Sequence, residues 1–379
     1  MELSEIRREI DEIDQGILEL FLKRMNLSIE VAKYKIQNNL PVLNRERERQ
    51  ILKDVMAKAG EDEAYAYRLF SVLMALSKAK QGNLMAGSAP VCEAIRASVK
   101  PIDEIFPETG MIAVQGIEGA NSQEASEKLV KRGNILYVKT FAAIFDAVES
   151  GFCDYGVLPI ENNINGSVRA VYELMRERKF AIVRSTRLNI RHSLLAVPGA
   201  SLSDIREITS HEQALGQCSN FIHSLGDHVH TAACLNTAVA ARDVAKNGDK
   251  SVASLSSRQC AKLYGLNVLK DDVQDSANNY TRFILVTNKP AVYAGADRIS
   301  LIVSCENRAG ALEEILSMLS SRGVNMSKLE SYPVAGRDFE SQFYLDLDAN
   351  IYAPGVMGML SDLEKRCESF TFLGAYAQV

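Results

Sequence analysis

No apolar run in this chain of 379 residues approaches the roughly 18 residues that a membrane-spanning helix needs. Histidine is scarce, five in all, and none stands in an HExxH or related spacing, so a histidine-held metal is disfavoured. The seven cysteines are odd in number, scattered and without a CxxC pair. That argues against a disulfide framework or a zinc site and for a reducing compartment, the cytoplasm. GxGxxG and GxxxxGK[ST] are both missing, which disfavours nicotinamide and nucleotide cofactors; the expectation is no metal and no cofactor. Nor is there an excess of positive charge. Lys+Arg number 43 against 48 Asp+Glu, giving −5 and a pI near 5.7, which argues against nucleic acid or an anionic membrane as partner. The first residues are charged from Glu2 onward and do not read as a signal peptide.

What is present is an ordinary globular balance, 47% hydrophobic and 24% charged, at a length that implies two or three domains. Residues 1–82 read as helix: Ile6, Ile10, Ile13, Ile17 and Leu20 recur at steps of four and three, and Leu27, Val31 and Tyr34 continue the stripe. With no proline before Pro41, the first helix can run to about residue 38, long enough to suggest a helical dimer. Asn44 is a candidate N-cap for a second helix, and Gly60 separates it from a third. Residues 83–110, with Gly87, Ser88, Pro90, Pro101, Pro107 and Gly110, read as a linker with one short helix. From 111 to 288, β-rich runs (MIAVQG, NILYVKT, YGVLPI, FAIVRS, NIRHSLLAVPG, REITS) alternate with helical stretches, predicting a mainly parallel α/β sheet. Residues 297–379 show the order β-α-β-β-α-β of a ferredoxin-like module.

Cations interrupt the first apolar stripe. Arg24 stands where the register calls for an apolar residue, and Lys35, eleven positions on, lies about 20° away on the same face. Arg47 is in the first turn of the second helix, and Ser77 and Gln81 are four apart on the third. Taken singly, these cations read more readily as snorkelling or solvated side chains. Bulk charge does not account for them, since residues 1–80 carry 14 Lys+Arg and 14 Asp+Glu. If they converge they require an anion, because unpaired buried cations are costly; a small dicarboxylate would serve.

The set Arg7, Arg24, Lys35, Arg47, Glu48, Ser77 and Gln81, with the RER run after Pro41, resembles the all-helical chorismate mutase domain. The resemblance implies sites formed within an intertwined dimer. Arg24 and Arg47 would hold the carboxylates of chorismate, and Arg7, about 100° round the helix from Arg24, would reach across from the partner chain. Lys35 and Gln81 would donate to the ether oxygen, and Glu48 would take the ring hydroxyl. Asn44, a candidate contact to substrate, departs from the family's usual aspartate. The rearrangement to prephenate is pericyclic, so conformer selection and stabilisation of the ether oxygen suffice.

Gly116-x-x-Gly119-x-x-Ser122 follows a predicted strand and opens a helix, by itself no more than a turn signal. Further polar clusters sit at strand ends, where open α/β sheets collect ligands: Pro159-Ile160-Glu161-Asn162 with Gly166-Ser167, Ser210-His211-x-Gln213, Gln217-Cys218, Asn236-Thr237, and Asn279-Tyr280-Thr281-Arg282-Phe283. In this order they resemble prephenate dehydratase, which implies two α/β lobes around a cleft, like a periplasmic solute-binding protein. Thr281 would protonate the departing hydroxyl and Arg282 would bind a carboxylate or hold the loop. Ser122, Asn162, Ser210, Gln213, Thr237 and Phe283 would line the cleft. Asn163 and Arg184 depart from the family pattern.

Residues 297–379 resemble an ACT domain, in which Gly310-Ala311-Leu312 and Glu330-Ser331-x-Pro333 would hold phenylalanine at a dimer interface; Tyr332 departs from the usual arginine. The expectation is a cytoplasmic bifunctional chorismate mutase–prephenate dehydratase, dimeric or tetrameric, feedback-inhibited by phenylalanine. The alternatives are a non-catalytic sensor of an aromatic metabolite and a dehydratase preferring arogenate.

Overall fold

The computed structural model describes residues 2–38, 40, 44–85, 90–308, 310–333 and 341–379. Pro41, Gly87 and Ser88, read above as breaks, lie outside them. The chain forms two compact units, one of residues 1–99 with 296–375 and one of residues 100–295 with 376–379.

In the first unit, helices span Leu3–Gln37, Arg45–Ala59, Glu63–Met85 and Pro90–Ser98. The second helix starts where the Asn44 side chain accepts from the Arg47 N–H at 3.0 Å. It ends at Gly60, whose φ of 59° is left-handed. The first and second helices both pack on the third. Yet the first helix buries only Met25, Ser28 and Ala32, and its stripe of Ile6, Ile10, Ile13 and Ile17 stays exposed, Ile13 by 61%. An amphipathic face of that length is thus left to solvent in the single chain. Residues 298–375 supply strands Arg298–Ser304, Asn325–Pro333, Ser341–Asp348 and the start of Ser369–Gln378, with helices Ala311–Ser321 and Val356–Arg366 between them. The strand Ser341–Asp348 lies antiparallel between Arg298–Ser304 and Asn325–Pro333. The third helix packs on both of these helices. Gly82 is needed there, since any Cβ would overlap the Asp362 carboxylate, itself paired with Arg322.

The second unit is two α/β lobes. In one, Thr109–Gln115 pairs in parallel with Arg132–Val138 and Tyr155–Asn162, and Tyr280–Thr287 runs antiparallel between Tyr155–Asn162 and Ala181–Asn189. The last residues of the chain pair in parallel with that edge, Ala377 opposite Arg184. In the other lobe, the strand order is Asn267–Lys270, Ser193–Ala196, Val252–Ser256, Glu207–His211, His230–Cys234. Alternation along Ser193–Val197 places Leu195 and Val197 in a core with Ala238, Ala241 and Cys260, and Leu194 and Ala196 in a core on the opposite face with Ile205, Ile208 and Leu255. The sheets are mixed rather than mainly parallel. NIRHSLLAVPG, expected as one strand, is divided: Ala181–Asn189 ends in the first lobe and Ser193–Ala196 begins in the second. Ile190, Arg191 and His192 form the crossing, and the chain returns between Lys270 and Tyr280.

Candidate active sites

The first cluster lies on the three N-terminal helices. Arg24 on the first helix reaches the third, donating to the Leu73 carbonyl at 2.9 Å and to the Ser77 hydroxyl. Three turns on, the Lys35 ammonium donates to Gln81 Oε1 at 3.1 Å. Ser77 and Gln81 are buried. Burial pulls the pKa of the Arg24 guanidinium down. It does the same to Lys35, partly opposed by the Glu48 carboxylate. Glu48 itself pairs with Lys78 at 3.0 Å, a partner that sequence reasoning missed; its position next to Ser77 was the available signal. One chain thus brings together Arg24, Lys35, Glu48, Ser77 and Gln81. It does not bring in Arg7 or Arg47, which are exposed. The Asn44 side-chain oxygen is engaged as the helix cap, not turned to the cluster.

The second cluster surrounds a cavity of about 490 Å³ in the two-lobed unit. The Gly116–Ser122 turn forms one wall: Gly116 and Gly119 have φ of 113° and 89°, and a Cβ on Gly119 would come 2.8 Å from Cys260 Sγ, so glycine is required. Helices Asn121–Leu129 and Thr237–Asn247 both begin at the cavity, the second capped by Asn236, which accepts from Val239 N–H at 2.8 Å. Their N-termini offer free N–H groups and the positive end of the helix dipole. Ser122, Asn162, Gln213, Thr237, Thr281 and Phe283 all line the cavity. Among the described residues lining it there is no Asp, Glu, Lys or Arg, so an anion here meets neutral donors and helix ends.

Thr281 is the best-defined member. Asn162 Oδ1 accepts the N–H groups of Ile164 and Asn165 at 3.0 and 2.9 Å, which turns its amide so that Nδ2 donates to Thr281 Oγ1 at 3.0 Å. With its oxygen accepting that bond, the hydroxyl can turn its own proton toward the cavity that Thr281 lines, and the donated N–H makes that proton more acidic.

Two expected residues are elsewhere. Arg282 follows Thr281 along a strand, so alternation sends it to the opposite face. It is 3% exposed and its Nε meets Glu161 at 2.9 Å. It can hold the strand but not touch a molecule in the cavity. Ser210 is fully buried, with its hydroxyl donating to the Leu255 carbonyl at 2.6 Å; its neighbours His211 and Gln213 line the cavity instead. The departures find local roles. Asn163 bonds the Asn278 carbonyl and the Tyr280 N–H at 2.8 and 2.7 Å, fastening the segment before Thr281. Arg184 is away from the cavity, 3.8 Å over the Phe106 ring and donating to the Leu129 carbonyl. Gln217, of the Gln217-Cys218 cluster, also lines the cavity, as does His192, which no motif marked. His192 was hidden in an apparent strand.

In the C-terminal segment, Gly310 (φ 82°) precedes helix Ala311–Ser321; Ala311 is buried and Leu312 partly so. Glu330 and Ser331 lie on strand Asn325–Pro333, Glu330 3.8 Å from Lys328.

Comparison with known proteins gives two family matches, chorismate mutase type II over residues 6–82 and prephenate dehydratase over residues 112–291. The bifunctional chorismate mutase/prephenate dehydratase of Escherichia coli (strain K12) is 31% identical over 383 residues, covering 99% of this chain and 96% of that protein. Among solved structures, the prephenate dehydratase of Arthrobacter aurescens in complex with L-Phe is 29% identical with a TM-score of 0.65, covering 70% of this chain and 89% of that one. GqqA, described as a quorum quenching acylase, is 32% identical at a TM-score of 0.65, covering 71% of this chain and 98% of its own. On both family matches and the end-to-end relative, the chain belongs to the bifunctional chorismate mutase/prephenate dehydratase family.

Proposed function

We infer that this chain carries two activities in sequence: it rearranges chorismate to prephenate on its N-terminal helices, and converts prephenate to phenylpyruvate, carbon dioxide and water in the two-lobed unit. The observation that carries the reading is the Thr281 hydroxyl, directed into a cavity of neutral donors by the fixed amide of Asn162. As the ring carboxylate leaves as carbon dioxide, its bonding pair enters the ring and the C4 hydroxyl departs. Thr281 delivers a proton to that leaving oxygen, and solvent returns one to Thr281. Aromatisation drives the step, so binding and one proton suffice. Ser122, Gln213, Thr237 and the two helix N-termini hold the carboxylates. The two lobes match what a periplasmic-binding-protein-like fold would provide.

On the helices, Arg24 binds one carboxylate of chorismate and Arg47, exposed in the single chain, turns in to bind the other; Lys35 and Gln81 stabilise charge on the breaking ether oxygen, and Ser77 holds Arg24. Glu48 takes the ring hydroxyl. The exposed isoleucine stripe supports an intertwined dimer, with Arg7 entering the partner's site. We assign residues 1–82 to the mutase, 111–288 to the dehydratase and 297–379 to an ACT domain, with 83–110 as linker. Phenylalanine acts at Gly310-Ala311-Leu312 and Glu330-Ser331 as feedback inhibitor. The seven free cysteines suit the cytoplasm.

Assays of the full chain with chorismate and with prephenate, each with and without phenylalanine, test the whole reading. Both substrates should turn over, and phenylalanine should depress phenylpyruvate formation. A chain that binds prephenate without forming phenylpyruvate would be a sensor, and preference for arogenate in competition would reassign the substrate.

A further inference from the structure

We propose that His192 is a positioning residue for the Thr281 hydroxyl, acting through the side-chain amides of Gln217, Asn279 and Asn162. The proposal rests on the cavity being the dehydratase site.

The direction of each bond follows from one fixed end. Two backbone N–H groups hold Asn162 Oδ1, so its Nδ2 must face Asn279 Oδ1 at 2.8 Å and Thr281 Oγ1 at 3.0 Å, with the Tyr280 carbonyl as a longer third acceptor at 3.2 Å. Asn279 then presents its own Nδ2 to Gln217 Oε1 at 2.9 Å. That same oxygen lies 3.1 Å from His192 Nε2. An amide oxygen can only accept, so the imidazole must carry its proton on Nε2. Two donors now hold Gln217 Oε1 inside the chain of bonds and turn its NH₂ group, which has no partner among the described residues, toward the cavity that Gln217 lines. Remove the His192 donor and the Gln217 amide is free to rotate. Asn279 then loses its acceptor, and the amide that aims Thr281 loses its support from this side.

The surroundings of His192 fit such a role. It stands in the crossing from the first lobe to the second, and it is anchored to the return crossing: its N–H donates to Gln274 Oε1 at 2.9 Å and its carbonyl accepts from Val273 N–H at 2.9 Å. The ring is buried, and its Nδ1 has no hydrogen-bond partner among the described residues. A buried acceptor left bare calls for an explanation. Here the explanation is that Nε2 must donate, and a neutral imidazole with one N–H can do so only by leaving Nδ1 as a lone pair. Burial lowers its pKa, which keeps the ring in that neutral, single-donor form.

The test uses the full chain with His192→Leu and His192→Gln. The glutamine Nε2 reaches about as far as the imidazole Nε2 and restores a donor. His192→Leu should lower dehydratase kcat by about 10- to 100-fold with a smaller change in KM, as expected when a reacting group is misplaced, and His192→Gln should recover most of it. Chorismate turnover should be the same in both. A leucine variant equal to wild type, or a glutamine variant no better than leucine, overturns the proposal. If the leucine variant fails to fold, ¹⁵N spectra of the histidine-labelled wild-type chain decide: His192 should show a protonated Nε2 and a bare Nδ1, and the opposite tautomer refutes it. A wild-type chain that turns over no prephenate would overturn the dehydratase reading and this proposal with it, whereas the variants bear on His192 alone.

Discussion

The N-terminal helices and the two-lobed cavity are both read as gripping a twice-negative ring compound, yet they are built in opposite ways. The helices use full charges, Arg24 and Lys35, both pulled down in pKa by burial. Their cluster leaves out Arg7 and Arg47, and the apolar stripe beside it is open. The cavity has no charged residue among the described residues that line it, and its donors are amides, hydroxyls and helix ends, all drawn from the chain itself. The difference follows from how each is walled. A helical face left partly open in one chain can carry cations because solvent shares the cost of their charge. A cleft between lobes would bury unpaired charge, and fixed dipoles avoid that penalty.

The largest effect that could break this contrast is at Thr281. Thr281→Ala should lower dehydratase turnover by about 10²–10⁴-fold, the range for loss of a positioned proton donor, and leave the mutase rate alone; Thr281→Ser should retain a substantial part. Lys35→Ala should do the reverse, cutting mutase kcat by about 10²–10³-fold with phenylpyruvate formation unchanged. If either variant loses both activities, the two sites are not independent.

Structural substitutions sharpen the comparison further. Gly119→Ala places a Cβ at φ 89° and 2.8 Å from Cys260 Sγ, which should cost about 1–3 kcal/mol in calorimetric or denaturant unfolding of the two-lobed unit. The smallest effect is a pH dependence. Burial lowers the Lys35 pKa below 10.5, and Glu48 only partly opposes this. Between the folded value and 10.5 the unfolded chain holds more protons at this site, so raising pH through that window adds a small increment of stability while mutase turnover declines. Comparison with Lys35→Met, in urea unfolding and in rate, isolates the contribution.

Much of this was legible in the sequence, for identifiable reasons. Helical periodicity in residues 1–82 and alternation further on specify elements through local burial, and the Gly116–Gly119 turn declares itself because only glycine tolerates its φ. Of the two roles open to Arg282, alternation around Thr281 and Phe283 already favours holding the strand over touching a bound molecule. Ser210 was preferred to His211 for want of a face. His192 could not be found, because Asn189–Pro198 looks like one strand and nothing local marks the point where the chain leaves one sheet for the other. Hydrogen bonds such as Asn279 to Gln217, 62 positions apart, leave no local trace at all.

The contrast between a shared site and a self-contained one is tested most directly by mixing two inactive chains. Arg7→Ala and Lys35→Ala, each deficient in mutase, should on unfolding and refolding together regain about a quarter of wild-type mutase activity, since half the dimers are mixed and each of those has one intact site. Dehydratase activity should stay constant throughout. No recovery in mixtures that demonstrably exchange chains would contradict the account.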